Sequence, residues 1–148
     1  MLTALGGLDG RQVLDLFAGS GALGIEALSR GAAGAMFVEH HEPTRKVLRS
    51  NLAGLGLEGP EVRVRGGDAL AALEACRADG DRFGLVLIDP PYAEAPDLGP
   101  ALDRGLGGVL EPGGLVVCES DRRRPIGLEL PVERERRYGD TLIRIHRR

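Results

Sequence analysis

Gly19, Gly21 and Gly24 stand as G-x-G-x-x-G near the start of the chain. Glycines at this spacing let the backbone turn tightly and approach a ligand closely. The pattern carries chemistry when a strand precedes it, a helix follows it, and an acidic residue about 20 positions on ends a second strand, where it can grip a ribose. Val13 to Phe17 reads as a buried strand, Ala22 to Ser29 as a helix, and Glu39 ends the run Ala35 to Glu39.

The glycine pattern alone fits a dinucleotide or S-adenosylmethionine (SAM). Asp15, four residues before the first glycine, favours SAM. A carboxylate there meets an ammonium or a sulfonium, directly or through water, and repels a pyrophosphate. Length points the same way, because a dehydrogenase needs a second substrate region that 148 residues do not leave room for. Asp68 follows a third strand beside the cleft expected at the carboxyl ends of the strands. It can accept a hydrogen bond from an adenine amino group, cap the next helix, or do both.

Asp89-Pro90-Pro91-Tyr92 is the most specific signal in the chain. The two prolines remove two backbone donors, so what faces the cleft is acceptors: the Asp89 carboxylate and nearby carbonyls, including that of Pro90. Acceptors suit an exocyclic amine, and Tyr92 offers a face on which a base taken out of its helix can stack. Such an amine is a poor nucleophile because its lone pair is delocalised into the ring. Holding its hydrogens favours a pyramidal nitrogen with the lone pair aimed at a methyl donor. Transfer then depends on positioning and electrostatics rather than on a strong base. The tetrapeptide does not separate guanine N2 from adenine N6.

The elements that position these residues alternate between strand and helix. Further strands are expected at Glu61 to Arg65, Phe83 to Ile88 and Gly114 to Glu119, with helices at Thr44 to Leu55, Ala69 to Ala78 and Pro96 to Leu106, the last broken by glycine. Val132 to Tyr138 and Thr141 to His146, joined through Gly139-Asp140, read as an antiparallel hairpin. The fold class is therefore α/β, a Rossmann-like, mostly parallel sheet covered on both faces, with a C-terminal antiparallel hairpin.

Val13-Leu14-Asp15-Leu16-Phe17-Ala18-Gly19-Ser20-Gly21-Ala22-Leu23-Gly24, with Glu26 to Ala32, resembles the RsmD family of bacterial methyltransferases acting on guanine N2 of small-subunit (16S) ribosomal RNA. The resemblance continues through Val38-Glu39, Asn51-Leu52, Asp68, Asp89 to Tyr92 and Tyr138 to Thr141. It implies a seven-stranded SAM-dependent methyltransferase fold over 1–148, a single catalytic domain. Asp15 and the Gly19-Ser20-Gly21 turn would hold the methionine part of SAM, Glu39 the ribose and Asp68 the adenine edge; Phe17, Gly24 and Ala69 complete the cofactor set. Asp89, Pro90, Pro91 and Tyr92 would present the target amine. Family members begin with a basic arm and a further helix, and this chain starts at Met1-Leu2-Thr3-Ala4-Leu5, roughly inside that helix, so the arm is expected to be missing. The other readings are an adenine-N6 methyltransferase and a SAM-binding scaffold without activity.

An apolar fraction of 43% and a charged fraction of 28% exclude global disorder. No apolar run reaches membrane-spanning length and no secretory signal is visible, so a cytoplasmic chain with no membrane partner is expected. Residues 1–121 carry ten basic and eighteen acidic side chains, whereas residues 122–148 carry nine Arg against four acids. An acidic body does not attract phosphate and a basic tail can. The family resemblance implies ribosomal RNA or the small ribosomal subunit as partner, with no obligate protein partner evident. Arg122-Arg123-Arg124 fits either a phosphate contact or a solvated loop. His40 and His41 read as exposed loop residues and give no metal pattern, and Cys76 and Cys118 read as buried thiols.

Overall fold

The computed structural model describes residues 2–91 and 95–148. One seven-stranded sheet contains β1 (Gln12–Asp15), β2 (Gly34–Glu39), β3 (Val62–Gly66), β4 (Phe83–Ile88), β5 (Leu110–Asp121), β6 (Val132–Tyr138) and β7 (Thr141–Arg147). The order across it is β3-β2-β1-β4-β5-β7-β6. The first five strands are parallel, and β7 lies antiparallel between β5 and β6. The helices are α1 (Ala22–Ser29), α2 (Glu42–Gly54), α3 (Ala69–Asp79) and α4 (Ala95–Leu106).

Both faces of the central sheet are covered because β1, β2 and β4 are buried at nearly every successive position, and the pleat sends alternate residues to opposite sides. Leu14, Met36, Val86 and Val116 pack with Leu73, Leu102 and Leu106 of α3 and α4. Val13, Phe37, Leu85 and Val117 pack with Ala27 of α1 and with Leu48 and Leu52 of α2. A fully buried Leu or Phe contributes roughly 1.5–3 kcal/mol, so these two layers carry most of the fold. Leu2 and Leu8 complete the second layer, Leu2 from a 3₁₀ turn over Leu2–Leu5.

The helix ends follow from local chemistry. Pro43 occupies the first turn of α2. The Asp68 carboxylate accepts from the N–H groups of Leu70 and Ala71 at the start of α3, and Gly80 ends that helix at φ 77°.

Two expectations are corrected. Glycine does not break α4, which runs unbroken from Ala95 to Leu106 with Pro100 inside it. Gly99 sits where a Cβ would collide with the Gly127 carbonyl, and Gly105 packs on Leu73, so these glycines serve close approach rather than termination. Strand β5 begins at Leu110 rather than Gly114. The pairing jumps from Phe83–Leu110 to Leu85–Leu115, and Gly113 absorbs the irregularity at φ 73°.

All seven residues of β6 are exposed at the sheet edge. Glu133 pairs with Arg147, and Glu135 with Arg137 and Arg144, so the edge is charged rather than open to another strand. Among the described residues no helix is long and apolar enough to cross a membrane.

Candidate active site

Strand order places the site. From β1 the chain moves outward to β2 and β3, then returns to β4 on the other side of β1. Loops leaving β1 and β4 therefore diverge, and a crevice opens at the carboxyl ends of the strands. A cleft of about 670 Å³ lies there, within the usual range for small-molecule sites.

Register explains which side chains enter it. Asp15 of β1 pairs with Phe37 of β2 and Leu87 of β4, and Ile88 of β4 pairs with Cys118 of β5. Two residues beyond the Asp15 row stand Glu39 of β2, Asp89 just past β4 and Glu119 of β5, on one face because the side-chain period is two. Asp15 forms the floor and the other acids the wall. These four acids, with Asp68, line the cleft, and among its described lining residues there is no Lys or Arg.

Three of the five carboxylates also hold the loops. Asp15, 1% exposed, accepts from the Gly24 N–H at 3.1 Å through Oδ2, and its Oδ1 is buried without a hydrogen-bond partner. Burial is the main cause that pushes its carboxyl up to about 7; the Gly24 N–H opposes this, and the charges of Asp89 and Glu39 add to it. Glu39 accepts from the Gly19 N–H at 3.0 Å and from the His41 N–H at 2.8 Å. Asp68 caps α3, as described. The Asp89 and Glu119 carboxylates accept no hydrogen bond from the described residues. Burial, then the Glu119 charge, pushes the Asp89 carboxyl up to about 6.

The glycine turn divides its labour. Gly19, at φ 56° with open space where a Cβ would be, lines the cleft beside Ser20. Gly21 and Gly24 shape the turn from behind. Gly21 caps α1 at φ 94°, and a Cβ on Gly24 would run into the Phe37 ring. Phe17, Ala69, Pro90 and Pro91 line the cleft with Asp89, while Tyr92 lies outside the described residues. His40 is exposed at the rim.

Sequence reasoning missed two contributors. Asn51 of α2 donates from Nδ2 to the Ser20 carbonyl at 2.9 Å and so anchors the turn. Glu119 enters the cleft from β5. Its place beside Asp89 depends on the register of β5 with β4, which no local pattern in the sequence carries.

A family model described as "Conserved hypothetical protein 95" matches residues 1–147. YlbH of Bacillus subtilis, provisionally named an rRNA methyltransferase, is 37% identical over 146 residues, which are 95% of this chain and 77% of that protein. Ribosomal RNA small subunit methyltransferase D of Escherichia coli is 43% identical over 81 residues, 55% of this chain and 38% of that protein. A solved Escherichia coli structure, provisionally named a methyltransferase, superposes with a TM-score of 0.81 at 33% identity, covering 99% of this chain and 79% of that one.

Proposed function

The chain belongs to the RsmD family, whose model spans residues 1–147, and from that premise we propose that it transfers a methyl group from SAM to the exocyclic N2 amine of a guanine in small-subunit ribosomal RNA. The observation that carries the cofactor is the cleft floor: a buried Asp15 with one unpartnered oxygen, under walls that are acidic and hold no described Lys or Arg. That lining suits a ligand bearing an ammonium and a sulfonium and opposes a pyrophosphate.

When bound, SAM supplies an electrophilic methyl group. Asp15 and the Gly19–Gly21 turn receive its methionine end, Glu39 its ribose hydroxyls and Asp68 its adenine edge. Each carboxylate oxygen has about two acceptor sites, so Glu39 can brace Gly19 and His41 and still accept from a ribose. Asp89 accepts an N–H of the target amine and holds its lone pair toward the methyl group, with Pro90 and Pro91 fixing the loop and Tyr92 stacking the base. Activity on purified small-subunit rRNA, read by mass spectrometry of the digested nucleosides, is expected to yield N2-methylguanosine. Formation of N6-methyladenosine, or calorimetric binding of NAD without SAM, overturns this reading.

Two further results are expected. Glu39→Ala weakens SAM and S-adenosylhomocysteine together, by roughly ten- to hundredfold, because it removes charge-assisted bonds both to the shared ribose and to the Gly19 turn. Calorimetric titration with both ligands checks this, and unchanged affinity would show that Glu39 is not the ribose grip. The second concerns pH. The ionised Asp89 is the acceptor, and its carboxyl titrates at about 6. At saturating SAM, turnover should therefore fall as pH drops through about 6, nearly tenfold for each further unit. A rate that stays flat to pH 5 excludes an ionised Asp89 as the working form.

A further inference from the structure

Glu119 has no assigned task, although the structure places it beside the group proposed to hold the target amine. Ile88 of β4 and Cys118 of β5 are register partners, so the next residues, Asp89 just past β4 and Glu119 within β5, stand on neighbouring strands on the same face. Such strands lie about 4.8 Å apart. Both carboxylates line the cleft, and neither accepts a hydrogen bond from any described residue. Asp15, Glu39 and Asp68 all hold backbone N–H groups. The unpartnered Oδ1 of buried Asp15 independently marks the cleft as a ligand site.

Two adjacent acceptors call for two adjacent donors. Guanine has them on one edge: the N2 amine and the neighbouring N1–H. Adenine and cytosine place an acceptor nitrogen next to their amine, which a carboxylate repels. Resting on the function proposed above, we infer that Glu119 is the residue that selects guanine, its carboxylate accepting the N1–H while Asp89 accepts from the N2 amine. Rejection of the other bases then comes from the repulsive contact as much as from the attractive one. A site built to receive a donor discriminates strongly against an analogue without it, because the charged acceptor is left facing a lone pair.

The test uses 2-aminopurine, which keeps the N2 amine and lacks the N1–H. Wild-type protein is first used to map the N2-methylguanosine in small-subunit rRNA. That nucleotide is then replaced by 2-aminopurine through ligation of a synthetic segment. Wild type is expected to methylate the guanine RNA at least about a hundredfold more efficiently. Glu119→Gln, nearly isosteric, should bind SAM within about threefold of wild type, which also reports that it folds. Its amide can accept from N1–H or donate to N1. Activity on guanine should therefore fall roughly ten- to hundredfold while activity on 2-aminopurine holds or rises, narrowing the ratio at least tenfold. A purely structural role would lower both substrates together. An unchanged ratio in the variant, or a wild type that does not discriminate, overturns the inference while leaving N2 methylation standing. Absence of N2-methylguanosine with wild type overturns the proposed function and this inference together.

Discussion

Asp89→Ala is expected to lower methyl transfer by roughly two to three orders of magnitude while SAM binding stays within a few-fold. The acid stands at the end of β4 on the cleft wall, and it braces none of the described residues. Its removal therefore takes away an acceptor without dismantling a loop. Losing one preorganised polar group that acts on the reacting atom costs about 3–4 kcal/mol in the barrier, and each 1.36 kcal/mol is tenfold in rate. The effect belongs in turnover because the contact is made to the nucleophile rather than to the cofactor. Asp89→Asn sharpens the result. Its carbonyl still accepts, so activity should fall between those of wild type and the Ala variant, and the acid limb near pH 6 should vanish from its rate profile. Single-turnover rates with prebound SAM measure both. Normal turnover in the Ala variant would reduce Asp89 to a turn residue.

The central strands were legible in the sequence because their residues run nearly continuously apolar, and β4 was read to the residue, Phe83 to Ile88. The helix over Pro96 to Leu106 was legible in extent but not in continuity. Gly99 and Gly105 look like breakers in one dimension, and the need for them comes from Gly127 and Leu73, distant in the chain. The early part of β5 was hidden for a related reason: Pro112, Gly113 and Gly114 mask a strand that passes through an irregularity.

At the site, the residue types and their common cleft were legible, but their double duties were not. Nothing local says that Glu39 holds Gly19, or that Asn51 holds Ser20, because those contacts exist only once β2 and α2 have closed on the turn. The same holds for the glycines. The motif suggests three ligand-facing positions, whereas packing against Leu48 and Phe37 puts Gly21 and Gly24 behind the loop. Glu119 escaped notice because its meaning lies in register with Ile88 and Asp89 across the sheet, and register is a property of paired strands.

Asp15→Asn is expected to move stability and ligand affinity in opposite directions. Burial raises the Asp15 carboxyl from an ordinary 3.8 to about 7 in the folded protein. The sign follows from linkage. A folded state that binds the proton more tightly gains stability fully present below about pH 4 and lost as pH rises through about 7. Above that range the unliganded protein carries an ionised, buried carboxylate, a penalty on the order of 4 kcal/mol at 1.36 kcal/mol per pH unit. Asn keeps the shape and an oxygen for the Gly24 N–H but cannot ionise. Denaturant titrations of wild type should show stability falling between about pH 4 and 7. The variant should show a flatter profile and about 1–3 kcal/mol more stability at pH 8, short of the full penalty because its amide N–H needs a partner. The same substitution should weaken SAM by roughly ten- to hundredfold, since a cationic ligand loses its buried counter-charge. Wild-type affinity should in turn rise with pH through about 7, as the carboxylate the ligand needs becomes ionised. A variant less stable than wild type at pH 8 would show that an ionised Asp15 carries no net penalty in the unliganded fold, and one that binds SAM equally well would show that Asp15 faces no cation and that the methionine end lies elsewhere in the cleft. The expected pair of results would mean that the unliganded fold tolerates a destabilising charge at its floor, and that the cation of the cofactor relieves it.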